Sequence, residues 1–228
     1  MQLEKVTKSG RTDEKRRYDD ACAAAHGMDL IGERWSMPLI RELLLGPRRF
    51  SDLRASMRGI SANVLTQRLE GLEAAGVLVR RKLPPPASVQ VYELTPWGYE
   101  AAPIFQALGR WAVRSPHHDP TRPFSPVSLM LSLRTMFAAS ASAADFEARI
   151  QLIMNGEPFF WVRENGAIAI GRGEIDRPDL TLNGTPSAIA GFVYVGAPLD
   201  SIDAEGDLRL AERLPSFFPM PDKAPGPA

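Results

Sequence analysis

The sequence predicts a two-part α+β chain, helix-rich with one hairpin in front and alternating strands and helices behind. Three observations carry that prediction. The stretch from Gly59 to Leu94, GISANVLTQRLEGLEAAGVLVRRKLPPPASVQVYEL, reads as one helix followed by a two-stranded hairpin. Ser115 to Val127 holds four prolines in thirteen residues, the composition of a linker. Residues 1–114 carry 18 Lys+Arg against 13 Asp+Glu, whereas residues 115–228 carry 9 against 14, so a net charge of zero is a basic front offset by an acidic back. Such asymmetry favours two domains with different partners.

Taken in order, residues 1–17 are polar, unpatterned and read as a flexible arm, with six basic residues able to add phosphate contacts. Residues 18–114 form the first domain. Tyr18 to Gly32 is alanine-rich and helix-prone. A second helix starts at Trp35-Ser36-Met37-Pro38, with Ser36 as its cap and Pro38 in its first turn, where a missing N–H costs little. Leu39, Ile40, Leu43 and Leu44 are its buried face, and Gly46-Pro47 ends it. Ser51 caps a third helix that runs to about Met57.

Ser61 caps the next helix, its hydroxyl placed to accept from a first-turn amide. Leu65, Leu69 and Leu72 recur at the spacing of a buried stripe, which leaves Asn63 and Gln67 on the solvent side with Thr66 and Glu70 beside them. Gly76 sits where a left-handed residue closes a helix. Val77–Lys82 and Val89–Leu94 are the hairpin strands, joined through three prolines that cannot extend a ladder. Two short helices joined by a turn, then a basic hairpin, make a winged helix-turn-helix whose second helix suits a DNA groove. Thr95-Pro96 opens a helix that reaches Arg114. Its apolar positions Ile104, Phe105, Leu108, Trp111 and Ala112 are predicted to pack on a second subunit; the alternative is the C-terminal domain.

Beyond the linker (115–127), residues 128–218 form the second domain. A helix is expected over Ser128–Ala139, strands over Phe146–Met154, Phe159–Glu164, Ala167–Gly171 and Asp179–Asn183, and a hairpin turn at Asn165-Gly166. Thr185-Pro186 starts a helix through about Tyr194. Gly206–Leu210 reads as a last strand edge before a short helix to Phe218, and residues 219–228 as a disordered tail.

Within the basic stretch Leu45–Lys82, Ser61, Asn63, Thr66 and Gln67 are placed to reach base edges, since short amides and hydroxyls can read the major groove. Arg48, Arg49, Arg80, Arg81 and Lys82 are candidate phosphate contacts. Arg68, at the edge of the buried stripe, suits a phosphate contact or an internal salt bridge. The plainer alternatives are solvated surface charges and an ordinary exposed helix face.

The run of Leu30-Ile31-Gly32-Glu33-Arg34-Trp35, Leu43-Leu44-Leu45-Gly46-Pro47-Arg48-Arg49-Phe50, Gly59-Ile60-Ser61, Leu65-Thr66-Gln67-Arg68-Leu69, Ala75-Gly76-Val77-Leu78 and Tyr92-Glu93-Leu94-Thr95-Pro96-Trp97-Gly98 resembles the HxlR family of bacterial winged-helix regulators. The resemblance spans Tyr18 to Arg114. It implies a homodimeric transcriptional regulator that binds inverted-repeat, double-stranded operator DNA through the Ser61 helix and the wing. Some members of that family sense oxidants or electrophiles through a cysteine near the first helix, commonly in a Cys-Pro pair. Cys22 stands in a similar place but precedes Ala23. Asp19 and Asp20 would raise its pKa and helix amides would lower it, while the plainer reading is a small buried or interface side chain.

Leu180-Thr181-Leu182-Asn183-Gly184-Thr185-Pro186, an apolar helix, then Ala204-Glu205-Gly206-Asp207-Leu208-Arg209-Leu210 look like the sterol-carrier-protein type fold. That likeness implies strands layered with helices around an apolar cavity for a small hydrophobic effector, with Phe159, Trp161, Ile168, Phe192 and Tyr194 as lining; a closed aromatic core is the alternative.

Other classes find little support. One cysteine and three histidines leave no Cys-cluster or structural zinc site, and His117-His118 in the linker reads as solvated. No Ser/His/Asp grouping, phosphate loop or His-x-x-x-His is present, so neither an enzyme nor a cofactor is expected. The apolar runs are too short for a membrane span and the N-terminus lacks a signal h-region, so a cytoplasmic regulator is expected. Two rivals stay open: a regulator switched through Cys22, and a lipid-binding protein with a degenerate DNA-binding domain.

Overall fold

A computed structural model describes residues 18–137 and 146–225; the predicted arm 1–17 and the end of the helix expected through Ala139 lie outside them. The front half contains α1 (Ala23–Ile31), α2 (Ser36–Leu43), α3 (Phe50–Ser56) and α4 (Ala62–Ala74), then a hairpin of β1 (Leu78–Lys82) and β2 (Gln90–Leu94), then α5 (Pro96–Tyr99) and α6 (Ala102–Ala112). Its core gathers Leu39, Ile40 and Leu43 of α2, Leu53 of α3, Leu65, Leu69 and Leu72 of α4, and Leu78 and Leu94 of the hairpin.

Local chemistry explains most boundaries. The Ser61 hydroxyl accepts from the Val64 amide at 3.3 Å and starts α4. Val77 N donates to Leu72 O at 2.9 Å and Gly76 N to Glu73 O at 3.0 Å, the paired bonds of a Schellman ending, with Gly76 at φ 73°. Thr95 accepts from Gly98 N at 3.0 Å and opens α5.

Three front-half expectations are corrected. Ser36 is the first residue of α2 rather than its cap; that place falls to Trp35, at φ 81°, and Ser36 is buried. Ser51 lies inside α3, which Arg49 precedes, and its hydroxyl goes to Asp52. The helix expected from Pro96 to Arg114 is two helices, because Pro103 has no amide to continue the ladder from α5 into α6. The hairpin also gains a member the sequence did not reveal: Arg48 and Tyr92 exchange both backbone bonds, at 2.9 and 2.8 Å.

The back half places α7 (Pro126–Met136) with a five-stranded sheet of order β5-β4-β3-β6-β7. Its strands are β3 (Ala148–Met154), β4 (Glu157–Glu164), β5 (Ala167–Arg172), β6 (Leu180–Gly184) and β7 (Asp203–Gly206). The β3–β6 pair is parallel and the other neighbours are antiparallel. The parallel pair needs a crossover, supplied by Gly173–Asp179, which the buried Gln151 side chain ties down. Its Nε2 donates to Phe159 O at 2.6 Å and its Oε1 accepts from Ile175 N at 2.9 Å. Asn165 and Gly166 turn β4 into β5 at φ 51° and 75°, as the sequence signal implies.

Helix α8 (Pro186–Ala190) follows β6 and continues as a π-helical turn, Gly191–Val195. Two further corrections fall here. The last strand is Asp203–Gly206, and Leu208–Arg213 is a helix, α9, because the Asp207 carboxylate accepts the amides of Arg209 and Leu210 at 3.0 and 3.1 Å. The tail is ordered over 219–225: Lys223 Nζ donates to Val113 O at 3.0 Å and Ala224 N to Arg114 O at 2.7 Å, satisfying carbonyls at the end of α6.

Candidate nucleic-acid interface

Helix α4 buries Leu65, Leu69 and Leu72 and thereby turns Asn63, Thr66 and Gln67 outward, all exposed, with Glu70 on the same face. Ser61 is exposed too, but its hydroxyl is committed to the cap. The wing leaves α4 directly through the Gly76 turn, and Arg80, Arg81 and Lys82 are exposed on β1.

The six candidate phosphate contacts divide by partner. Arg49 and Lys82 are exposed and form no ion pair among the described residues. Arg80 grips Glu73 through Nε at 2.8 Å and Nη2 at 2.6 Å, and this holds the Glu73 carboxyl below its usual pKa. Arg81 pairs with Glu93 across the strands. These exposed pairs contribute little by themselves, so phosphate can replace the carboxylate. Arg68 meets Glu33 at 3.0 Å, the internal salt bridge that the sequence left as one of two options.

Arg48 stands apart from this group. Its guanidinium lies 3.6 Å from Glu157 on β4, and Arg172 reaches the same carboxylate oxygen at 3.1 Å. Desolvation and the neighbouring Arg48 push the Arg172 pKa down. The Arg48 side chain is thus engaged at the junction of the two halves, not presented beside α4.

The apolar side of α6 also divides. Ile104, Leu108 and Trp111 are exposed, Trp111 at 75%. Phe105 instead packs against the second core, so it follows the alternative of contact with the C-terminal half. Helix α1 buries none of its residues, and Met28 on it is exposed.

The expected pocket residues are mostly core. Phe159, Trp161 and Phe192 are buried among Phe137, Phe146, Phe217, Phe218 and the aliphatic side chains of the sheet. The void beside Trp161 measures about 10 Å³, room for one water at most. Ile168 packs on the edge of that core. A cavity of about 430 Å³ does exist, but between α6 and α7, and of the five expected residues Tyr194 lines it. His118, expected to be solvated, lines it as well. The linker that carries it therefore forms part of the cavity wall, with Phe124 and Pro120 beside it, which composition alone does not reveal.

Cys22 is exposed at the N-terminus of α1, and the first-turn amides of Ala25 and Ala24 lower its pKa. Among the described residues no group of three or more His, Cys, Asp or Glu could hold a metal ion. No described helix is long and apolar enough to cross a membrane.

Comparison with known proteins agrees with the front-half geometry. Residues 30–119 match the HxlR-like helix-turn-helix family. Over 86 residues the chain is 37% identical to the uncharacterized HTH-type transcriptional regulator YvaP of Bacillus subtilis, covering 37% of this chain and 79% of that protein. It is 34% identical over 83 residues to the HTH-type transcriptional regulator YodB of the same organism, covering 36% and 74%. YtfH of Escherichia coli K12 is 30% identical over 109 residues, covering 48% and 86%. The solved quinone-bound YodB covers 40% of this chain and 97% of its own at 29% identity, with a TM-score of 0.35. On its helix-turn-helix sequence and these relatives, the chain belongs to the HxlR-like helix-turn-helix family of transcriptional regulators.

Proposed function

We propose that the protein is a homodimeric regulator that reads inverted-repeat operator DNA with α4 and grips phosphates with the wing. The observation that carries this is the outward set Asn63, Thr66 and Gln67 on a capped helix, together with Arg49 and Lys82, which are exposed and form no ion pair among the described residues. Pairing through the exposed Ile104, Leu108 and Trp111 would set two such helices at a fixed spacing, and half-sites about one DNA turn apart match such a pair. The second half is read as a sterol-carrier-like domain, since β6, the Asn183-Gly184-Thr185 turn, α8 and the Gly206-ended β7 follow in the order that likeness requires. A small apolar effector held by that half would change the spacing of the reading helices.

Titration of the purified protein against its own upstream DNA, followed by anisotropy, tests the DNA reading. Gln67→Ala and Asn63→Ala are each expected to lose about 1–3 kcal/mol of preference for the specific site, and Lys82→Ala to lower the salt slope by about one. Undetectable or salt-independent binding would instead favour a lipid-binding protein with a degenerate DNA-binding domain.

A second reading rests on Cys22. Its exposure and lowered pKa keep more thiolate at neutral pH than an ordinary cysteine has, the form that adds to an electrophilic carbon. The relative YodB has a quinone-bound structure. Addition of benzoquinone should release operator from the native protein and leave the Cys22→Ser complex intact, and the onset should come at lower pH than for a free cysteine. Equal release from both proteins removes this reading.

A further inference from the structure

The cavity of about 430 Å³ lies within the ~300–1,000 Å³ range usual for small-molecule sites and is lined from both halves of the chain, the linker and the tail. Helix α6 supplies Phe105 and Ala112 to one wall, with Val113 just past its end. Helix α7 supplies Leu131, Ser132 and Met136 to the opposite one. Tyr194 and Val195 enter from the π-helical turn, Phe124 and His118 from the linker, and Met220 from the tail. Apolar side chains dominate this lining, and burial there favours an apolar occupant.

The polar groups restrict the occupant further. Arg41 is the charged side chain of the lining, and its Nε and Nη2 are held by Glu42 at 3.0 and 2.8 Å. An ionic ligand would have no free countercharge. Ser132 and Tyr194 bond each other at 2.8 Å, and the Thr135 hydroxyl donates to Leu131 O at 2.6 Å. Ser128 is spent on the α7 capping box. Of the buried polar side-chain atoms in the lining, His118 Nδ1 is without a hydrogen-bond partner among the described residues. Imidazole nitrogen can donate or accept according to tautomer, and a hydroxyl answers either.

We propose that this junction cavity binds one neutral, largely apolar molecule bearing a hydroxyl, with the hydroxyl on His118 Nδ1. The site rests on the effector reading above, and moves it from the interior of the second domain to its junction with α6. Phe105, Gly109 and Ala112 face the occupant along one stripe of α6, and Ile104, Leu108 and Trp111 form the adjoining exposed stripe. A molecule that fills the cavity therefore bears on the helix proposed to set the dimer.

Binding of 4-phenylphenol to the DNA-free full chain, with 4-methylbiphenyl as the match lacking the hydroxyl, tests the site by calorimetry. Expected is one molecule per chain, with the phenol bound roughly threefold to tenfold tighter, the worth of one neutral hydrogen bond. His118→Phe should erase that preference. Val195→Trp, at a position 69% exposed and so tolerant of change, should block the entrance and weaken both probes at least tenfold. Ala112→Trp fills the same space from α6, and unchanged far-ultraviolet circular dichroism would verify both variants as folded. Absence of saturable binding, or binding untouched by both fillings, overturns the site; a phenol preference that survives His118→Phe overturns the hydrogen bond. Because no DNA is present, failure of operator binding leaves this outcome unaffected. Binding that leaves operator affinity unchanged sinks the effector reading and spares the cavity.

Discussion

Gly98 lets another stretch of backbone come very close. A Cβ there would sit 2.0 Å from Val77 O, the carbonyl that accepts the Thr95 amide at 3.0 Å. That contact lets α5 lie against the root of the wing. Gly98→Ala should cost at least about 2 kcal/mol by overpacking, whereas Gly109→Ala, with nothing within 4 Å, should gain about 0.5–1 kcal/mol from helix propensity. Urea unfolding of the two variants side by side checks the contrast. Gly206 plays a like part behind, at φ 102° with its missing Cβ 2.5 Å from Asp179 O. At this scale the sequence was readable wherever a cap or a turn used a common residue: Ser61, Gly76 and Thr95 all act as their types suggest. Ser36 misled because a serine before an apolar run looks like a cap, while the chain puts Trp35 in a left-handed conformation that aromatic residues seldom adopt. His118 misled because composition describes the linker and cannot describe what folds over it.

At the scale of elements, α6 matters most. Its face was legible as apolar, but no periodicity can say which stripe meets which partner. The answer splits it, with Phe105 on the second core and Ile104, Leu108 and Trp111 open. The double variant Leu108→Ser, Trp111→Ser should sediment as a monomer and lose operator affinity while Phe105 keeps the chain folded. A dimer that persists would remove this face from the interface. Strand β7 was misplaced for a different reason. Leu208 and Leu210 alternate as in a strand, but Asp207 offers its carboxylate to two amides and a helix wins. The hairpin, by contrast, was plain: β-prone runs around three prolines have few other ways to fold.

For the whole molecule, the informative region is the contact between the two halves, which local patterns could not foretell. Glu42, buried at 1% exposure, accepts from Ser125 at 2.6 Å and from Arg41, so a helix of the reading domain and the cap of α7 share one carboxylate. Nearby, Arg48 belongs by backbone to the wing and by side chain to Glu157. Arg48 thus links the wing to the second half without passing through α4. Glu157→Ala should lower stability by about 1 kcal/mol at low salt, leaving Arg48 and Arg172 facing each other, and the difference should shrink as ionic strength screens them. Chemical unfolding at two salt concentrations measures it. A loss that is the same at both would mean packing, not charge, holds this corner.

The tail adds an order of events to this architecture. Lys223 closes the end of α6 from 110 residues downstream of Val113, and Met220 completes one side of the cavity. During synthesis the helix-turn-helix emerges and gathers its own core long before either residue exists, since domains fold as units from the N-terminal end. A nascent chain can therefore possess its DNA-facing surface while the junction is still unmade. The proposed effector site is completed later than that surface, so a chain that stalls or is clipped between α9 and Met220 would retain the reading helix but not the finished cavity.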